Sequence, residues 1–279
     1  MFEILSFLIA FFGTLIASYY DLKTTEIPDL LPILLILLGI ITNVLNYSFT
    51  KNFEVIRQML FNGFLFSIIG FSMYFFGQWG MGDAFLLSAI GFISPINIHF
   101  KSEFPFFFDY LTNLFFLGTI YMIFYSLIYT IKNKKVLKFF EKDLRNNALS
   151  IGISFFVLLF LSIFISYWLF NQLYFKLILL TIAFTYLLMI LLIFSKSVEK
   201  TFVKKIPVFE LKAGDVLKDS KRWDGITEEE VKKIKKSGKK YVYIKIGVPF
   251  APSFLIALLF TLLIGNSLFW LLKFVGNLI

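Results

Sequence analysis

Apolar residues run through this chain in long blocks separated by short polar bridges. The blocks have neither the two-residue alternation of a half-buried strand nor the narrow stripe of a soluble amphipathic helix. They cover about 4–20, 30–47, 59–76, 83–98, 110–131, 149–169, 174–194 and 253–274, with Pro95 near the far end of the fourth. At 1.5 Å per residue a helix of about 18–20 residues spans ~27–30 Å, the thickness of a bilayer's hydrocarbon. The pattern therefore predicts an all-α polytopic membrane protein with about eight transmembrane helices. The fourth block, counted from Asp83, falls short of a full crossing. It predicts a helix flanked by irregular backbone that is buried in protein and shielded from lipid. The first block opens on the acidic Met1-Phe2-Glu3 and no small-residue cleavage pattern follows. It reads as a mature helix and not as a signal peptide.

The apolar blocks stop over 196–246, and the pattern there predicts a small α+β cytoplasmic lobe. A short strand is expected at 207–211, a turn at 212–215, a helix at 226–236 and a strand at 241–244. Thr227 ahead of Glu228, Glu229 and Glu230 is a helix start, and Ser237-Gly238 is a stop. The organisation expected is thus a transmembrane helical domain at 1–195, the lobe at 196–246, and a final helix at 247–279 that completes the membrane domain. With about fifty residues and little core, the lobe suits substrate guidance or packing better than an active site of its own. The basic linker from Lys132 to Arg145 reads as a short amphipathic or solvated segment.

Composition agrees with the pattern and removes several chemistries. Of 279 residues 58% are hydrophobic and 16% charged, and the mean hydropathy is +0.82. There is no Cys, which excludes a disulfide scaffold, thiolate zinc sites and thiol nucleophiles. A lone His99, expected at the outer interface, argues against a metalloprotease or a Ser/His hydrolase, and neither metal nor cofactor is expected. The net charge of +9 is read as lysines flanking membrane helices and attracting anionic lipid headgroups, with no nucleic-acid partner. Loops numbered by alternation place 22 of the 27 Lys/Arg on one side. With the long loop set aside the bias is still seven to three. The positive-inside rule then predicts a multi-pass protein of the cytoplasmic membrane with both termini outside.

Ionisable residues at membrane depth carry the chemistry. Asp21 closes the first block and Asp83 opens the fourth, so alternation puts both at the cytoplasmic boundary despite a separation of 62 residues. Gly13, Ala17 and Asp21 share one helix face, as do Asp83, Leu87 and Gly91. Small residues on such faces let a second helix come close. Gly80 and Gly82 permit positive φ or close backbone approach just before Asp83. The plainer reading makes Asp83 an N-terminal helix charge and gives Asp21 the nearby Lys23 as partner. Asp29 would cap the second block after Pro28, and Asp109 would start a helix on the opposite side. If Asp21 and Asp83 meet, they share one proton and can act together as general base and acid on a peptide carbonyl.

Asp21-Leu22-Lys23-Thr24-Thr25-Glu26-Ile27-Pro28-Asp29 resembles the first catalytic-aspartate motif of the prepilin and preflagellin peptidases. Gly80-Met81-Gly82-Asp83 is similar to the GxGD signature of the same intramembrane-type aspartic peptidases, shared with presenilin. The run Gly247-Val248-Pro249-Phe250-Ala251-Pro252-Ser253 is similar to the Pro-containing lead-in to the last helix of archaeal members. The likeness covers roughly 5–100 and 245–275. It implies Asp21 and Asp83 as the catalytic pair, Gly80 and Gly82 as the active-site loop, and Pro249 and Pro252 at the lead-in to the final helix. It implies partners that are prepilin- or preflagellin-like precursors, cut just before their hydrophobic helix to release a short basic leader. Glu26 and Asp29 are then candidates for contacting that leader. The absence of Cys and of an N-terminal cytoplasmic loop resembles the archaeal peptidases, which cleave without methylating. Ala84-Phe85-Leu86 stands where the family often has a basic or polar residue, and the sixth and seventh blocks with the lobe look added. The competing classes are a transporter using boundary carboxylates and a noncatalytic assembly subunit of a pilus or archaellum.

Overall fold

The computed structural model describes residues 1–94, 104–173 and 175–276. Ten helices lie among the described residues: α1 (Phe2–Thr24), α2 (Leu30–Thr50), α3 (Phe53–Phe75), α4 (Met81–Ile93), α5 (Phe106–Lys132), α6 (Lys135–Phe170), α7 (Phe175–Glu199), α8 (Glu228–Lys236), α9 (Ala251–Leu263) and α10 (Ser267–Gly276). Three short strands, β1 (Val203–Pro207), β2 (Val216–Leu217) and β3 (Tyr241–Lys245), form one sheet in the order β1-β3-β2. Six helices among the described residues are long and apolar enough to cross a membrane, and the bent pair α9–α10 brings the number to seven if it is one span. The chain is a polytopic, mainly helical membrane protein with a small mixed lobe. His99, Pro95 and Tyr174 lie outside the described residues.

Two compact units are present. The first comprises Met1–Ile123 with Lys205–Ile279, and α4 is its centre. Ala84, Leu86, Leu87, Ala89, Ile90 and Ile93 are fully buried, with α2, α3 and α1 packed around them. Glycines make the closest of these approaches possible. A Cβ on Gly91 would lie 2.5 Å from the Asn62 carbonyl oxygen, and one on Gly39 would lie 2.8 Å from the Ile93 nitrogen. Gly13 likewise receives the Leu35 side chain, so both small-residue faces read from the sequence do carry a neighbouring helix.

At thirteen residues α4 is about 20 Å long, too short to cross the hydrocarbon by itself. Carbonyls exposed at its end would be costly in that setting. The buried Asn43 of α2 meets them: its Nδ2 donates to the carbonyls of Phe92 at 3.0 Å, Ile93 at 3.2 Å and Ser94 at 3.3 Å. Asn62 of α3 donates to the Ser94 hydroxyl at 2.7 Å.

The same device corrects the prediction of one continuous last helix over 253–274. That block breaks between α9 and α10 with a bend of 60°, where Gly265 adopts φ +82°. Asn113 of α5, fully buried, holds the break. Its amide nitrogen donates to the Gly265 carbonyl at 2.7 Å and to Thr261 Oγ1 at 2.9 Å, and its oxygen accepts from the Ser267 N–H at 2.9 Å. The apolar run continues through the break, so hydropathy alone cannot show it.

In the lobe, Ile206, Val208, Leu211, Ile226, Val231 and Val242 form a separate small core. Thr227 and Glu230 cap α8 reciprocally, and Ser237 ends it before Gly238 at φ +73°. The strand expected at 207–211 is displaced. β1 ends at Pro207, and 208–210 is one turn of 3-10 helix. Pro207 has no N–H with which to extend a ladder.

The second unit, Phe124–Lys204, is built on α6 packed along α7. The basic stretch expected as a linker is helical. Only Asn133 and Lys134 separate α5 from α6, which runs for 36 residues from Lys135. Lys, Glu, Leu and Arg are good helix formers, and the polar turns simply continue the apolar ones. Asp143 on these turns accepts from Lys200 Nζ and Ser197 Oγ at 2.6 and 2.7 Å.

Candidate active site

Asp21 occupies the last turn of α1 and is 4% exposed. A buried carboxylate needs donors. The sequence offered Lys23, but its ammonium lies over the Tyr19 ring, 5.8 Å from the centroid. The donors come from 230 residues away: the Ala251 N–H donates to Asp21 Oδ2 at 2.7 Å, and the Phe250 backbone is a second hydrogen-bond partner. These are the free N–H groups at the start of α9, where the helix dipole also favours negative charge. Pro252 in the first turn needs no N–H of its own.

Asp83 is the third residue of α4. Its Oδ2 accepts from the Gly80 N–H at 3.2 Å, reaching back to the residue that starts the helix. The plain reading of Asp83 as an N-terminal helix charge is therefore correct as far as it goes. It is incomplete, because α1 packs on α4 and Asp21 is close enough to act on Asp83 by direct Coulomb interaction. The fold brings the two carboxylates to one place.

The glycines depart from expectation in detail. Gly80 has φ −73° and Gly82 is helical, so neither uses the left-handed region. Close approach is needed at Gly82, where a Cβ would lie 3.0 Å from the Ile27 side chain. At Gly80 a Cβ would meet only Asp83 Oδ2, at 3.5 Å. The positive φ falls earlier in the turn, at Gly77, φ +70°. Glu26 and Asp29 are exposed. Asp29 stands at the start of α2 but makes no capping hydrogen bond with its side chain. Pro249 is buried, and its carbonyl accepts from the Tyr121 hydroxyl at 3.0 Å.

Several contributors escaped the sequence reading. The Phe250 and Ala251 amides are backbone groups with no side-chain signature, although the two prolines beside them mark the spot. Trp79, immediately before Gly80, packs on Phe250 before α9 and Phe254 in its first turn at 5.5 and 5.6 Å between centroids. It also stacks on Phe115 of α5 at 6.1 Å. Among the described residues no group of three His, Cys, Asp or Glu is placed to hold a metal ion.

Two carboxylates close enough to interact, each accepting from backbone N–H groups in a largely apolar setting, have the makings of a general acid–base pair. No curated protein and no solved structure matches the chain. A family model does match, over residues 8–131, a stretch that includes both Asp21 and Asp83 and ends one residue before the end of α5. The model is that of the type IV leader peptidase family, which this stretch resembles.

Proposed function

We propose that the chain is an aspartic endopeptidase whose catalytic pair is Asp21 and Asp83, working at the cytoplasmic face of the membrane. Its substrates are prepilin- or preflagellin-like precursors, from which it removes the short basic leader. The observation that carries this reading is the meeting of a buried and a half-buried aspartate distant in sequence, inside a segment matching a leader peptidase family.

The two carboxylates have different surroundings, which divides the work. Backbone N–H groups of α9 stabilise the ionised form of Asp21, so Asp21 is the base and Asp83 carries the shared proton. Asp21 takes a proton from water as its oxygen attacks the scissile carbonyl carbon, and Asp83 gives its proton to the carbonyl oxygen. In the collapse, Asp21 returns a proton to the departing amine and Asp83 recovers one from the hydroxyl. The C–N bond breaks and the enzyme is unchanged.

Exposed Glu26 and Asp29 lie on the link from α1 to α2, where a basic leader would meet them. Replacing either by Ala should raise KM with little change in kcat. Unchanged kinetics in both would remove them from recognition.

The decisive experiment uses purified protein in lipid with a precursor carrying a class III leader. Wild type should release the leader. Asp21→Asn and Asp83→Asn should each lower the rate by about a hundredfold or more while the protein stays folded, and a chelator should change nothing. Cleavage that survives either substitution would end the proposal.

A further inference from the structure

The lobe has a contact with the membrane helices that its small core does not explain. Its loop 221–224 lies on the turn 74–80, the segment joining α3 to Asp83. Trp223 Nε1 donates to the Gly77 carbonyl at 3.1 Å, and the Tyr74 hydroxyl donates to Asp224 Oδ1 at 2.5 Å. The Arg222 guanidinium stands over Phe75 at 4.8 Å and Tyr74 at 5.8 Å. The Lys221 carbonyl oxygen occupies the place of a side chain at Gly77, 2.3 Å from where a Cβ would be. Only glycine fits there, both for that reason and for its φ of +70°. The opposite flank of the same turn is braced by Trp79 against Phe250 and Phe254. The segment is thus gripped from two sides, and Gly80, whose N–H binds the Asp83 carboxylate, is at its end.

We propose that Trp223 and Asp224 are positioning residues: through the turn 74–80 they set the place of the Asp83 carboxylate relative to Asp21. The lobe is then a clamp on the catalytic loop and not a separate functional domain. A packing role alone would need shape, whereas here directional bonds run to one backbone carbonyl and one hydroxyl of the turn. A glycine-bearing turn between helices is among the more easily opened parts of a fold, so bonds from outside it have something to fix. This inference rests on the reading of Asp83 as catalytic.

Trp223→Phe keeps an aromatic ring and removes the donor. Asp224→Ala removes the acceptor, and Asp224→Asn restores an oxygen for the Tyr74 hydroxyl. In the cleavage assay Trp223→Phe and Asp224→Ala should lower kcat by about tenfold, because a displaced acid loses alignment. KM should stay within about twofold, the thermal midpoint should hold, and Asp224→Asn should recover most of the rate. Amide hydrogen exchange, read on peptides covering 76–83, should quicken by about tenfold in the two impaired variants and stay unchanged over 84–93. Wild-type kcat and exchange in both variants would overturn the proposal. So would a loss of rate that follows only a fall in thermal midpoint. If wild type cleaves no precursor, the catalytic reading fails by itself, and the exchange measurement still decides whether the loop grips the turn.

Discussion

At Asp21 and Asp83 the same side chain has two environments, and backbone amides make the difference. Neighbouring residues show how narrowly the site is built. A methyl at Gly82 presses on Ile27, which is buried between α1 and α2, whereas one at Gly80 reaches ordinary contact distance. Gly82→Ala should therefore cost roughly 1–2 kcal/mol of stability and slow cleavage, while Gly80→Ala should cost less than about 1 kcal/mol. Thermal unfolding in detergent separates the two, and equal effects would contradict the geometry. Far from the carboxylates, Glu230 accepts from the Thr227 N–H at 2.8 Å and its hydroxyl at 3.1 Å. These bonds, the backbone one foremost, hold its carboxyl below the usual range. The folded pKa is lowered, so the stabilisation is complete above the unfolded carboxylate's titration and is lost as pH falls through the folded value. Protection factors for amide exchange over 227–236 should fall as pH drops through the folded Glu230 titration in wild type, and Glu230→Gln should already be less protected at neutral pH, with a weaker dependence on acid.

Among the elements, α4 and α9 are a matched pair. Each has thirteen residues, each begins at a carboxylate of the site, and each ends on a buried asparagine of a longer helix. Asn43 lies seven residues before the end of α2, and Asn113 lies seven after the start of α5, so both caps stand ~10 Å inside their helix ends. Short helices let the first unit direct two N-terminal ends at the carboxylates, where the macrodipole favours negative charge. The two asparagines satisfy the opposite ends. Asn43→Leu and Asn113→Leu each leave buried backbone groups without partners, at a cost of about 1–3 kcal/mol. Differential scanning in detergent should show lower midpoints for both, and Asn113→Leu should in addition straighten the 60° bend between α9 and α10. Midpoints equal to wild type would mean that other donors cap these ends.

For the molecule as a whole, the distribution of Lys and Arg is the strongest statement about orientation. Because the chain has no Cys, single cysteines report sidedness without background. Cysteines placed at Lys138 and Lys218 should react with a membrane-impermeant maleimide only from the cytoplasmic side, and one at Lys51 only from outside. Reaction of Lys51→Cys and Lys218→Cys from the same side would refute the proposed topology, and with it the cytoplasmic active site.

Much at this scale is legible in the chain itself, because the bilayer imposes one dominant requirement. Apolar runs long enough to cross it must become helices, and a lobe capped at Thr227 and stopped at Gly238 is local chemistry. Asp21 and Asp83 stand out for the same reason, as charges where charge is expensive. The break at Gly265, the helical start of α6 and the shift of β1 to 203–207 escape hydropathy, which averages over residues and cannot register one amide or one missing N–H. Sequence by itself determined where the apolar helices run and which two acids are out of place, since each follows from transfer between water and hydrocarbon. Only tertiary structure decided that α9 supplies the donors of Asp21, that Asn43 and Asn113 end the short helices, and that Trp223 reaches Gly77. Hydrogen bonds between distant segments depend on ångström-scale placement, which no run of residue types encodes locally.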